Sequence, residues 1–375
     1  MALNHACLPV PAPARALGDP SRGIIACRDA LSTGVELSTI RVVLDGMGSD
    51  DHPRPEVEAA CAAAERWPDP LTLVGPRRLL ESMLTGDGRS RNVTVVDASE
   101  VVEMTDRPAG AARGKADSSM AVGLDLLRDG QADVFVTAGN TGAAMTTALL
   151  RLGRLRGVRR PALAPIFPVA GGRAVVLDIG ANVDCKPEFL VQFAVMGSVY
   201  AQTALGIRSP RVGLLSIGEE AGKGTELIHE TYPLLAAAGL NFVGNVEPKE
   251  VYAGQVDVAV TDGFTGNVFL KTSEAVARFL TETIRREITS APLTAAGGLL
   301  ARPAFARVRR LLDPAEYGAV PLLGINGLVF IGHGRSDARA LVSAIAAARS
   351  AVESGLLEAL RSAVEPFFGQ RHATA

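Results

Sequence analysis

The 375-residue chain has only four cysteines, Cys7, Cys27, Cys61 and Cys185, with no CxxC pair and no spacing shared with histidine. Neither a zinc site nor a disulfide framework is suggested, and a reducing cytoplasm is the simplest setting. Long apolar runs are missing as well. The opening stretch MALNHACLPVPAPARALGDPSRG lacks a continuous signal-like core, and no run elsewhere approaches the ~20 residues that cross a bilayer. The expectation is therefore a chain with no secretory signal and no membrane span. There is no excess of charge of either sign: 38 basic against 40 acidic residues give a net charge of −2, so no broad footprint for nucleic acid exists and no polynucleotide partner is expected. Aromatic residues are few, at 5%, while 47% of the chain is hydrophobic and 39 residues are glycine. That balance buries a large core and fits an α/β protein with many tight loops.

What is present is a repeated pattern. Four times an apolar, β-branched run stops at a glycine-bearing polar loop and passes into an amphipathic stretch: DVFVTAGNTGAAM, AVVLDIGANVDCKPEFL, VGLLSIGEEAGKG and VAVTDGFTGNVFLK. A short buried strand followed by glycine, a polar residue and a helix presents backbone N–H groups at a helix N-terminus, where the dipole favours an anion. Ligands of such sheets bind beyond the carboxyl ends of the strands. The loops carry Asn140, Thr141 and Gly142; Asp178, Asn182 and Asp184; Glu219 and Lys223; and Asp262 and Asn267, with Lys271 one turn further on. They read as one crevice built from several loops.

Residues 1–39 mix Pro, Ala, Gly and Arg without periodicity and read as a mobile tail. Residues 40–375 read as a single α/β catalytic domain of two interleaved subdomains. It begins at TIRVVLDGMGSD, a strand ending in Asp45 and glycines, before a helix that Pro53 and Pro55 help to start. LTLVG and NVTVVDAS are the next strands, and SSMAVGLDLLRDG is a helix capped at Ser118 or Ser119 and closed by Gly130. Strand, loop and helix alternate to about residue 285, which predicts a mostly parallel, doubly wound sheet with helices on both faces. PLLGINGLVFIGHGRS reads as one returning strand between two glycine turns, and the tail from Asp337 as a helix or a helix pair.

MTDRPAGAARGKADSSM, ADVFVTAGNTGAAM with GVRRPALAPIFP, LDIGANVDCKPEFLVQFAVMGSVYA, GLLSIGEEAGKG, DVAVTDGFTGNVFLKTSE and EYGAVPLLGINGLVFIGHG together resemble the acyl-carrier-protein:phosphate acyltransferases of the PlsX family. The resemblance runs in order from about Arg41 to Ala348. It implies transfer of a long-chain fatty acyl group from an acyl-carrier-protein thioester to inorganic phosphate, giving an acyl phosphate for phospholipid synthesis. It also implies a homodimer, a fold like that of the isocitrate and isopropylmalate dehydrogenases, and peripheral association with a membrane from the cytoplasmic side. The chain departs from the pattern at Ser49, where a second glycine is usual, at Ser216, where Asn is common, and at Ala319 and Val320. Serine at a position needing positive φ would be strained, so either the loop differs or that torsion is not required.

The chemistry follows from residue types without the resemblance. Phosphate near neutral pH is already an oxyanion nucleophile, so a site need only bind it, align it on a thioester carbonyl and stabilise the tetrahedral oxyanion. Glycine loops at helix N-termini supply donors, and Lys223, between two glycines, supplies a point charge. Candidate catalytic residues are Lys223, Asp262 and His333; candidate phosphate or substrate contacts are Asn140, Thr141, Gly142, Asp178, Asn182, Asn267 and Lys271. No metal or cofactor is called for. Each candidate has a structural alternative: Asn140 and Thr141 as helix caps, Lys223 as a solvated lysine, Asp178 with Asn182 as an Asx turn, Asp262 as an N-cap, His333 as a packed turn histidine.

Acyl-carrier proteins are acidic, so a basic rim is expected, and Arg159 and Arg160, with Arg154 and Arg156, are candidates for docking. The stretch 275–312 reads as a helical hairpin with Val276, Phe279, Leu280, Ile284 and Ile288 on one side and Arg302, Arg307, Arg309 and Arg310 nearby. That surface suits anionic lipid or a dimer interface equally. Two other functions compete: a coenzyme-A-dependent phosphotransacylase or dehydrogenase on the same type of fold, and a non-catalytic scaffold that binds acyl-carrier protein or membrane. No GxGxxG fingerprint with a following acidic residue supports a dehydrogenase.

Overall fold

The computed structural model describes residues 39–84, 92–316 and 318–368. The tail read over residues 1–39 lies outside the described residues except for Thr39, as do Cys7 and Cys27. From Thr39 the chain runs β1 (Val42–Asp45), α1 (Arg54–Arg66), β2 (Leu71–Gly75), α2 (Arg77–Leu84), β3 (Val93–Asp97), α3 (Pro108–Gly114), α4 (Ser119–Arg128), β4 (Val134–Thr137), α5 (Thr141–Arg151), β5 (Ala162–Leu163), β6 (Ile166–Val169) and β7 (Gly172–Leu177). It continues through α6 (Pro187–Leu205), β8 (Val212–Leu215), α7 (Glu226–Ala236), β9 (Phe242–Val246), α8 (Pro248–Tyr252), β10 (Val258–Val260), α9 (Gly263–Thr289) and α10 (Pro292–Leu312). It ends with β11 (Ala319–Leu323), β12 (Val329–Gly332), α11 (Ala338–Glu353) and α12 (Leu356–Phe368).

The strands form two sheets where the sequence pattern suggests one. Seven strands lie in the order β3-β2-β1-β4-β12-β11-β5, and five in the order β6-β7-β10-β8-β9. Pairing is parallel except at β11, which runs against β12 and β5, and at β6, which runs against β7. The short strands are near-continuous apolar runs because both faces are covered. Alternation still matters: Val42 and Leu44 of β1, Val134 and Val136 of β4, Val175 and Leu177 of β7 and Val258 and Val260 of β10 enter one core cluster. The intervening Val43, Phe135, Val176 and Ala259 enter the other. Successive side chains of a strand point to opposite faces, so the period of two divides the core.

Local signals explain the helix boundaries. The Ser118 hydroxyl accepts from the Ala121 N–H at 3.3 Å to start α4, and Gly130, at φ +68°, turns the chain after it. Asn140, Asp262 and Asp337 cap α5, α9 and α11 by accepting from Ala143, Thr265 and Ala340. The segment PLLGINGLVFIGHGRS corrects the sequence reading: it holds two antiparallel strands, β11 and β12, not one. Gly324, at φ +91°, turns the chain between them.

Candidate functional site

Strand register brings the ends of β1, β4 and β12 together. Leu44 pairs with Val136 and Ile331 with Thr137, so Asp45, Thr137 and the turns after them share one end of the larger sheet. Asp45 is fully buried there; it accepts from the Met47 N–H at 3.1 Å and from the Thr137 hydroxyl at 2.7 Å. Thr137 in turn accepts from the Gly139 N–H at 2.9 Å, so one carboxylate orders both glycine turns. Burial pushes the Asp45 carboxyl above its usual range. Gly48 lies so close to the backbone of Ala138 and Gly139 that a side chain would strike both amide nitrogens. Glu56, also buried and also pushed up by burial, accepts from the Ser49 N–H at 2.7 Å. No residue other than glycine has positive φ among the described residues, so Ser49 carries no left-handed strain.

Asn140 does more than cap α5. Its Oδ1 accepts from Ala143 while Nδ2 donates to the carbonyls of Met104 and Asp106 at 3.0 and 3.1 Å, tying the turn to the segment before α3. Lys115 holds that segment by donating to Asp106 and to the Val101 carbonyl at 2.5 and 2.7 Å. Thr141 and Gly142 are the first two residues of α5, and N–H groups there have no intrahelical acceptor. His333, exposed after β12, accepts at Nδ1 from the Arg335 N–H at 3.2 Å. Its neighbour Gly334 accepts from the Asp50 N–H at 2.7 Å and packs beside Met104. Asn140 and His333 thus belong to one group of turns.

The smaller sheet assembles a second group. Leu177 and Leu214 both pair with Val260, which sets Asp178, Ser216 and Asp262 at one end. Asp178 is fully buried, and its two oxygens accept from Leu163, Ala181 and the backbone and side chain of Asn182. Burial outweighs those donors and pushes its carboxyl up to about 6. Asn182 also donates to the Pro161 carbonyl at 2.8 Å. Gly263 and Gly266 let the start of α9 lie against this group: a Cβ at Gly263 would collide with Asp178 and Asn182, and one at Gly266 with the Asp178 carbonyl. Asn267 faces Gly180, where a Cβ would stand 3.7 Å from it. Cys185, whose thiol burial pushes up to about 12, points at the Asn182 carbonyl.

Lys223 is exposed on the loop between β8 and α7. Its stem lies over Gly218, where a Cβ would come within 3.1 Å of its Cγ. The loop is pinned by Asn245 of β9, whose Nδ2 donates to the carbonyls of Glu220 and Lys223 at 2.9 and 3.4 Å. Ser216 donates to the same Lys223 carbonyl at 3.2 Å. Lys271 shares a helix face with Asn267 but pairs with Glu274 at 2.9 Å. Arg159 and Arg160 are exposed; the Arg159 N–H donates to Gln192 at 2.8 Å, and the Arg160 guanidinium lies 5.9 Å over Phe189. Pro161, which follows them, is the partner of Asn182.

Asp178, Asn182, Asp262 and Asn267 therefore come together with the start of α9. The caps read as structural alternatives are real, since Asn140 and Asp262 both cap, and Asp178 with Asn182 forms an Asx-type turn. Sequence reasoning passed over Thr137, Glu56 and Asn245. For Thr137 and Asn245 the signal is a polar residue inside or ending an apolar strand; for Glu56 it is the i, i+3, i+4, i+7 spacing that puts it on the buried face of α1 with Ala59, Ala60 and Ala63.

A family model described as "Fatty acid synthesis protein" matches residues 40–359. The phosphate acyltransferase of Desulfitobacterium hafniense (strain DSM 10664 / DCB-2) is 45% identical over 330 residues, covering 88% of this chain and 98% of that protein. Among solved structures, a phosphotransacetylase from Streptococcus pyogenes superposes with a TM-score of 0.57 at 17% identity over 88% of this chain and 99% of that one. A 4-hydroxythreonine-4-phosphate dehydrogenase from Klebsiella pneumoniae gives a TM-score of 0.50 at 12% identity, over 85% and 99%. At such identities the structural likeness shows the fold alone, a mixed α/β architecture with mostly parallel sheets. The match over nearly the whole described chain carries the assignment: this protein belongs to the fatty acid synthesis protein family, the phosphate acyltransferases of the PlsX type.

Proposed function

We propose that the acyl donor is a long-chain thioester of acyl-carrier protein and that the product is an acyl phosphate used in phospholipid synthesis. A phosphate oxygen attacks the thioester carbonyl carbon, the C–S bond breaks, and the phosphate proton ends on the departing thiolate. Nothing in that sequence needs a covalent enzyme intermediate, which agrees with a site made of N–H donors, amides and one cation.

The observation that carries this reading is the group around the start of α9. A buried carboxylate, Asp178, orders Asn182; Gly263 brings the helix N-terminus against both, and Gly266 against the Asp178 carbonyl. Asp178 has its oxygens occupied and acts by holding Asn182, whose own N–H groups are spent on Asp178 and the Pro161 carbonyl and which shapes the wall of the site, while Asn267 and the helix N-terminus bind the anion. Lys223 places its charge on the phosphate, and Asp262 caps the helix and orients it. The N–H groups of Thr141 and Gly142, in the turn that Asn140 ties down, receive the thioester carbonyl, and His333 relays the phosphate proton to the departing thiolate. Lys271 contributes positive potential at the rim from its pair with Glu274. Arg159 and Arg160 dock the acidic carrier beside Asn182, through the shared Pro161.

The same reading covers the assembly. The protein works as a cytoplasmic homodimer with the dehydrogenase-like fold of its family, and its α9–α10 hairpin rests on the anionic membrane face. Supporting this, Phe279, Leu280, Leu293, Leu299 and Leu300 of the hairpin are exposed beside Arg302, Arg307, Arg309 and Arg310. No single helix among the described residues is long and apolar enough to cross a membrane. The test is release of free thiol from palmitoyl-acyl-carrier protein, run beside palmitoyl-coenzyme A, with wild type and Lys223→Ala. Turnover that prefers the carrier, requires phosphate and collapses in the variant is expected; equal or better use of the coenzyme-A donor would reject the carrier assignment.

A further inference from the structure

A lysine on a glycine-rich loop sweeps a wide volume unless the loop is tied down. Residues 216–224 carry Lys223 between Gly222 and Gly224, with Gly218 upstream, and the loop has no regular structure. One of its two anchors sits on a strand and the other directly after one. Asn245, 4% exposed within β9, donates from one amide nitrogen to the carbonyls of Glu220 and Lys223, and the Lys223 N–H closes the turn by donating to Glu220 at 3.0 Å. Ser216, the first residue after β8, donates to the Lys223 carbonyl as well. Leu214 pairs with Asn245 across the parallel ladder, so both anchors are held by one rigid pair of strands.

The Asn245 amide has one orientation compatible with its surroundings. Turned the other way, Oδ1 would face two carbonyl oxygens. In the orientation found, Oδ1 is buried with no hydrogen-bond partner. An unpartnered buried amide oxygen is unfavourable, and an apolar residue would fill this buried strand position at lower cost. Asn245 therefore does something other than stabilise the strand.

We propose that Asn245, assisted by Ser216, is a positioning residue for Lys223. By fixing the carbonyls of Glu220 and Lys223 it sets the direction in which the lysine stem leaves the loop over Gly218, and so the place of the ammonium. The inference rests on the reading of Lys223 as the cation that meets phosphate. Releasing the anchor leaves the charge present but spread over many positions, which weakens phosphate capture and leaves the carrier surface untouched.

A double-mutant cycle tests this, with kcat/KM for phosphate and the KM for palmitoyl-acyl-carrier protein measured for wild type, Asn245→Ala, Lys223→Ala and the double variant. Asn245→Ala is expected to lower kcat/KM for phosphate by roughly tenfold, to change the carrier KM by less than about twofold, and to have no further effect once Lys223 is alanine. An equal loss in both backgrounds, or a matching rise in both KM values, overturns the positioning role while leaving Lys223 in place. Full activity of Lys223→Ala overturns the reading of the site itself and this inference with it. Should Asn245→Ala not fold, as judged by its thermal transition, Ser216→Ala removes one bond to the same carbonyl and is expected to give a smaller loss with the same dependence on Lys223.

Discussion

Two buried acids show how residue chemistry departs from residue type. Asp178 is held up to about 6 by burial. The folded chain thus binds this proton more tightly than the unfolded one, so its contribution to stability is complete below about pH 4 and is lost as pH rises through 6, about 3 kcal/mol in all. Asp178→Asn removes the titration, so the difference in unfolding free energy between wild type and variant falls from pH 4 to 7; a difference that is flat with pH would contradict the assignment. Glu56 is the second case. Its carboxyl is buried against the Ser49 hydroxyl, and burial outweighs that contact and favours the protonated acid. Glu56→Gln keeps the acceptor for the Ser49 N–H and is expected to cost under about 1 kcal/mol, whereas Glu56→Ala is expected to cost about 2–4 kcal/mol, read by denaturant unfolding. The sequence showed Ser49 as a departure but not why the loop tolerates it. The ordinary torsion at Ser49 and the carboxyl behind it, on a helix seven residues on, depend on tertiary contact that no local pattern carries.

At the scale of elements, the strand-to-helix joints were the most legible part of the chain, because an apolar run, a glycine and a capping Asn or Asp each act within a few residues. Asn140, Asp262 and Asp337 all cap as their positions suggest. The β11–β12 pair was less legible: a short apolar run on either side of glycines does not distinguish one strand from a hairpin, and only the antiparallel register resolves it. The start of α9 is where element packing meets function. Gly266→Ala drives a methyl group into the Asp178 carbonyl, and a loss of about 1–3 kcal/mol with a fall in kcat/KM is expected. Its thermal transition and turnover check this together. The α9–α10 hairpin was visible as an apolar and arginine-bearing segment, and Gly298 allows its close approach to Ile288. Neutralising Arg307, Arg309 and Arg310 together is expected to weaken co-sedimentation with anionic vesicles by about 1 kcal/mol per charge; unchanged binding would reject the lipid reading of that face.

Across the whole molecule, strand periodicity revealed an α/β protein but not that its strands divide between two sheets. The inner strands β1, β4, β8 and β10 are buried on both faces, so the alternation that would assign them to a sheet is erased. The candidate site was legible by the same logic that hid the sheets: polar residues stand out where apolar strands end. The structure sorts them into a turn group at Asp45, Asn140 and His333 and a second at Asp178, Asn182 and α9, a partition that depends on strand order and is invisible in the linear chain. The central claim is that the acyl group moves from a carrier thioester directly to inorganic phosphate. The most direct measurement incubates palmitoyl-acyl-carrier protein with radiolabelled phosphate and the purified protein, and traps the product of a parallel, otherwise identical reaction with hydroxylamine. Label recovered in palmitoyl phosphate, with palmitoyl hydroxamate formed in proportion to thiol released, is the predicted result. Thiol release that yields free palmitate and no labelled acyl phosphate would contradict the account.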